Sequence, residues 1–122
     1  MKRHRLLGHI QDISDACDRI SRFAEGKDKN AYLSDILLQA GVERQFITIG
    51  EALNLLLKEE PTLVLRITDA VRIISFRNRL VHGYADISEE TVWSIVEGYV
   101  PTLQREVELL LSEFQAPPEN SA

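Results

Sequence analysis

The chain has 122 residues, enough for one hydrophobic core and not for two. Apolar residues make up 44% and charged residues 27%, the balance of a water-facing globular chain, and the only cysteine, Cys17, excludes an internal disulfide. With 14 Lys and Arg against 19 Asp and Glu the net charge is -5, which excludes a coating of nucleic acid through a broadly basic surface but leaves room for a small basic cleft.

Helix formers dominate and Gly and Pro are sparse, so the expected fold class is all-α. The first predicted helix runs from about His4 to Glu25, with Leu6, Leu7, Ile10, Ile13, Cys17, Ile20 and Phe23 at helical spacing. Cys17 reads there as a small apolar core residue, and Gly26 as the stop. The basic start is not followed by a long apolar run, and no run approaches the roughly 20 residues that cross a bilayer. The cytoplasm is therefore the expected compartment.

The second stretch covers about Asn30 to Glu59, and its long part is capped by Ser34 or Asp35. Leu37, Leu38, Val42, Phe46, Ile49, Leu53 and Leu56 form its apolar stripe. Gly41 and Gly50 interrupt it, which points to close helix contact, and Pro61 opens the next helix. The third helix is expected from about Thr62 to His82. Its apolar residues spread over more than one face, so its second cover is expected to be another subunit. Gly83 should end it, leaving His82 and Tyr84 at its C-terminal end. The fourth begins at a Ser88 cap with Glu89 and Glu90 in the first turn, continues to about Phe114, and is kinked by Pro101. Trp93 reads as core. Residues 1–115 thus form one helical domain, and the polar, proline-rich residues 116–122 a disordered tail. His4, His9 and His82 do not share ligand spacing, so no metal site is expected.

The chemistry concentrates in one segment, Arg77-Asn78-Arg79-Leu80-Val81-His82-Gly83-Tyr84. Metal-free cleavage of RNA needs a base for the 2'-hydroxyl proton, an acid for the leaving 5'-oxygen and a cation for the charge that builds on phosphorus. A histidine moves protons near neutral pH, so His82 suits acid or base work, and the planar fork of Arg77 suits the charge. Use of the 2'-hydroxyl restricts the substrate to RNA and leaves a 2',3'-cyclic phosphate. Five residues separate Arg77 from His82, so on a regular helix they diverge by about 140°. Either the helix loosens near Gly83, or two chains share the site across a symmetric dimer, which is the preferred solution. Arg72 and Arg79 are candidate contacts to RNA phosphates, and Asn78 and Glu51 candidate orienting residues for a motif arginine.

The same segment resembles the Arg-x-x-x-x-His-x-Tyr signature of HepT-like toxins, ribonucleases of the HEPN superfamily, with Arg77, His82 and Tyr84 at its fixed positions. Val42-Glu43-Arg44-Gln45-Phe46 with Ile49-Gly50-Glu51-Ala52 is similar to the family's second helix. Val92-Trp93-Ser94-Ile95-Val96 with Pro101-Thr102-Leu103 is similar to its kinked last helix. The resemblance implies a four- to five-helix up-down bundle that dimerises through the motif-bearing helices. It also implies a metal-independent endoribonuclease, carried by Arg77 and His82, in a type VII-like toxin–antitoxin system. The implied partner is an MntA-like minimal nucleotidyltransferase antitoxin that uses ATP to attach AMP to Tyr84, while the toxin needs no cofactor of its own. The added phosphates would fill the cleft, pair with Arg77 or Arg79 and exclude RNA. Asp86, Glu89 and Glu90 are candidate antitoxin contacts. Two other readings compete: a non-catalytic helical binding module for a nucleotidyltransferase, and a structural helical dimer whose motif only caps helices.

Overall fold

Helix follows helix along the whole of the computed structural model, which describes residues 1–83 and 87–116. These are α1 (Lys2–Ala24), α2 (Lys29–Leu33), α3 (Ile36–Glu59), a 3-10 helix (Pro61–Arg66), α4 (Ala70–Val81), α5 (Glu89–Gly98) and α6 (Val100–Gln115). The all-α expectation holds. Tyr84, Asp86 and the tail from Pro117 onward, all of which the sequence singled out, lie outside the described residues.

Local chemistry sets most boundaries. Gly26 follows α1 with φ 72, a conformation that costs a side chain and suits glycine. Asp28 caps α2 by accepting from the Ala31 amide at 2.8 Å, and Asp35 caps α3 by accepting from Leu38 at 3.0 Å. Ser88 accepts from the Thr91 amide at 3.1 Å and starts α5, as its sequence context predicts.

One expectation is corrected, and a second, the kink, is borne out. The single helix foreseen from Thr62 to His82 is broken into the 3-10 helix and α4. Ile67 is extended between them (φ -124, ψ 100), and Glu106 on α6 supplies the reason. Its carboxylate accepts from the Thr68 amide at 3.1 Å and from Thr68 Oγ1 at 2.6 Å, so that amide is not available to a continuous helix. The kink foreseen at Pro101 is present: Tyr99 stays in helical conformation (φ -114, ψ -34), its amide donates to the Ile95 carbonyl at 2.9 Å and its carbonyl accepts from Leu103 at 3.0 Å. α5 closes at Gly98, Tyr99 joins the two pieces, and Pro101 sits in the first turn of α6, where its missing N–H leaves nothing unpaired.

The core lies where α1 packs on α3 and α6, with α4 on the far side of α3 and α5 against α2 and α6. Ile10, Ile13, Ile20, Phe46, Leu53, Leu56 and Leu110 are fully buried in it. Phe46 and Phe76 meet edge to face at 5.3 Å and fasten α4 to α3. Such a pair adds about 0.5–1.5 kcal/mol beyond the area it buries. Trp93 is buried, as expected, and stacks on Tyr32 at 5.1 Å, which joins α5 to α2. Cys17 is wholly buried; burial first, then the charges of Asp18 and Glu108, pushes its thiol up to about 12, leaving it unreactive. α4 buries Ala70, Ile73 and Phe76 and leaves Val71 68% and Val81 44% exposed. Among the described residues, no helix is long and apolar enough to cross a membrane.

Candidate active site at the end of α4

The meeting of α3 and α4 is decided at Gly50. A Cβ built there would fall on Cβ and Cγ of Arg77 and come within 3.2 Å of its Cδ. Any other residue would push the arginine stem away. The interior glycine therefore does what its place in an apolar helix pattern indicated, and its neighbour is the motif arginine. Pressed against α3, Arg77 keeps Nε buried, with no hydrogen-bond partner among the described residues. Its Nη1 donates to Asn78 Oδ1 at 3.0 Å, at the adjoining position. An unpaired buried donor costs about 1–3 kcal/mol, and Trp93 Nε1 is buried in the same way.

α4 remains regular to its end. His82 is its C-cap (φ -79, ψ 0), and its amide donates to the Asn78 carbonyl at 3.1 Å. Gly83 follows with φ 66 and donates to the Leu80 carbonyl at 3.2 Å, the left-handed exit that glycine allows. The helix does not loosen before His82. Arg77 and His82 therefore leave it about 140° apart, the first onto α3 and the second, an exposed residue, on another side of the helix. A regular α4 does not by itself bring the pair together.

The other candidates are distributed around this helix. Arg72 and Arg79 share one face of α4, which borders a groove toward α5, and Arg72 Nη1 donates to the Tyr99 hydroxyl at 3.4 Å. Glu51 turns the other way, into a depression lined with His9 and Asp12 of α1, so the residue of α3 that meets Arg77 is the preceding glycine. Among the described residues, no group of three or more His, Cys, Asp or Glu stands together as a metal ion would need.

A cluster that sequence reasoning missed lies where α5 begins. The Tyr32 hydroxyl donates to Glu89 Oε1 at 2.8 Å, and Glu89 also shares a hydrogen bond with Glu43 of α3. Burial, that bond and the charge of Glu89 raise the Glu43 carboxyl from 4.5 to about 7, so the two carboxyls share a proton below neutrality. Burial, the bond to Glu89 and the charges of Glu89 and Glu43 hold the Tyr32 phenol well above its ordinary range. The only signal in the sequence was three polar residues far apart, and Glu89 was already explained by its place in a first helical turn.

Three proteins of Methanocaldococcus jannaschii that carry the name "Putative RNase" are similar over most of their length. MJ1216 is 22% identical over 121 residues, covering 99% of both chains. MJ1380 is 25% identical over 114 residues, covering 90% of this chain and all (100%) of that protein. MJ0127 is 26% identical over 125 residues, covering 99% of each. No solved structure matches the chain. The family described as Ribonuclease HepT-like matches residues 13–110, which include Gly50, Arg77 and His82. With most of its length inside that match, the chain belongs to the HepT-like ribonuclease family.

Proposed function

We propose that this chain is the toxin of a type VII-like toxin–antitoxin pair, a metal-independent endoribonuclease assembled from two copies. The observation that carries the reading is the regular end of α4, which sends Arg77 and the exposed His82 in different directions. Two such helices apposed about a two-fold axis bring the arginine of one copy toward the histidine of the other. The exposed apolar side chains of α4, Val71 and Val81, suit that apposition.

In the cleft, one His82 takes the 2'-hydroxyl proton as the 2'-oxygen attacks phosphorus. His82 of the second copy gives its proton to the 5'-oxygen as the P–O5' bond breaks. Arg77 holds the added negative charge while both bonds are partly formed. The products are a 2',3'-cyclic phosphate and a 5'-hydroxyl, with the proton passed from one histidine to the other. DNA lacks the nucleophile. Silencing follows from Tyr84, two residues beyond His82: AMP attached there by an MntA-like nucleotidyltransferase, at the expense of ATP, places phosphate charge beside Arg77 and Arg79. The relatives' shared RNase name supports the RNA-cleaving part of this reading.

The test is cleavage of RNA in EDTA by protein whose intact mass carries no AMP, beside Arg77→Ala and His82→Ala variants with parent-like circular dichroism. The expected result is cutting by the parent, with cyclic phosphate ends, and a loss of about 100-fold or more in each variant. RNA left intact by the unmodified parent would overturn the ribonuclease reading in favour of a binding module.

A further inference from the structure

The groove beside the motif shares Val71 and Arg79 with the reading above, but the rest of its lining has no role there. α4 packs on α3, α5 packs on α2 and α6, and little joins α4 to α5 directly, so a channel of about 640 Å³ opens between them. That volume falls within the roughly 300–1,000 Å³ of small-ligand sites. One wall is the face of α4 that carries Arg72, Ser75 and Arg79, spaced three and four residues apart. The opposite wall carries Thr91, Ser94 and Tyr99, and the floor is apolar, made by Phe76 and Ile95. Among the described residues, no carboxylate lines the channel, in a chain with 19 Asp and Glu against 14 Lys and Arg.

We propose that this groove binds the RNA strand that flanks the scissile phosphate, with Arg72 on a backbone phosphate and a nucleoside lying between the Tyr99 ring and the apolar floor. The proposal rests on the ribonuclease reading and adds the path of its substrate. Arg79 stands two residues from Arg77, so the groove starts at the reacting end of α4. Arg72 lies seven residues further back, about 10 Å along the helix, a span that long side chains match to phosphates of nearby nucleotides. The Tyr99 hydroxyl, 3.4 Å from Arg72 Nη1, holds that guanidinium over the channel. A cationic wall with an aromatic ring and an apolar floor is how single strands are held without regard to sequence. Ser94 Oγ donates to the Glu90 carbonyl at 3.0 Å, which leaves its lone pairs to accept from a ribose 2'-hydroxyl, a group only RNA offers.

The test measures binding apart from cleavage. A short fluorescein-labelled single-stranded RNA is titrated by anisotropy against full-length His82→Ala protein across a salt series. Arg72→Gln and the groove-filling Ser94→Trp are then added in the same background. Arg105→Gln, at an exposed site on α6 outside the groove, is the control. Arg72→Gln is expected to weaken binding about tenfold at low salt and to reduce the salt slope by about one. Ser94→Trp is expected to weaken it at least about as much by occupying the channel. The control should bind as the unmutated background does. Parent-like affinity in both groove variants, an equal loss in the control, or no RNA binding by the His82→Ala protein would each overturn the proposal. Cleavage by the parent with parent-like binding in both groove variants would defeat the groove alone. Groove-dependent binding without any cleavage would defeat the ribonuclease reading alone.

Discussion

A single missing methyl group sets the geometry of Arg77. In most helices, replacing an interior glycine by alanine gains about 1 kcal/mol, because the backbone loses less freedom on folding. Gly8 of α1 has nothing within 4 Å of its would-be Cβ, so Gly8→Ala should be more stable by about that amount. At Gly50 the same propensity gain meets the Arg77 stem at its root, where the side chain cannot swing aside. Overpacking costs about 1–3 kcal/mol, so the clash outweighs propensity and Gly50→Ala should be less stable than the parent. Urea unfolding of the two variants checks the opposite signs. An equally stabilised Gly50→Ala would mean that α3 and α4 separate freely there.

Between elements, the Glu43–Glu89–Tyr32 cluster ties the start of α5 to α3 and α2, with Lys29 of α2 paired to Glu90 at 3.0 Å beside it. Its behaviour with pH follows from the raised Glu43 carboxyl. Between about 4.5 and about 7 the folded chain binds more proton than the unfolded chain, so stability falls as pH rises through that window and levels off above it. Glu43→Gln keeps a neutral hydrogen-bonding group and removes the charge. After a discount for the solvent that reaches Glu43, the variant should exceed the parent by about 1 kcal/mol above neutrality and equal it at the acid end. Unfolding in urea across that pH range is the measurement; an unchanged slope in the variant would place the shared proton elsewhere.

At the scale of the molecule, α4 is half covered. Ala70, Ile73 and Phe76 face inward, while Val81 beside His82 is 44% exposed. If a second copy covers that face, Val81→Asp introduces a charge into an apolar contact, which costs several kcal/mol without a partner. The variant is expected to sediment as a monomer and, lacking a composite site, to leave RNA uncut. A Val81→Asp protein that stays dimeric would move the interface off the end of α4.

Much of this was legible in the chain because the rules involved are local. The stripe of α1 from Leu6 to Ile20 follows helical period, Asp35 and Ser88 act as caps through their own side chains, and Gly83 ends α4 because it alone adopts φ 66 cheaply there. The spacing of Arg77 and His82 also determined, before any fold was known, that a regular helix would hold them apart. Other features depended on which helix lies against which. Nothing near Thr68 announces that Glu106, 38 residues later, will take its amide and break a helix there. Gly50 announced a close approach but not Arg77 as its neighbour, and Glu43 and Glu89 share a proton only because α3 and α5 converge. The sequence by itself determined most of the helices, most of their ends and the candidate groups, since backbone dihedrals and side-chain period act within a few residues. Only the tertiary structure decided which of those groups meet, since a crossing angle and register arise from the packing of whole faces, and no stretch of one helix encodes them alone.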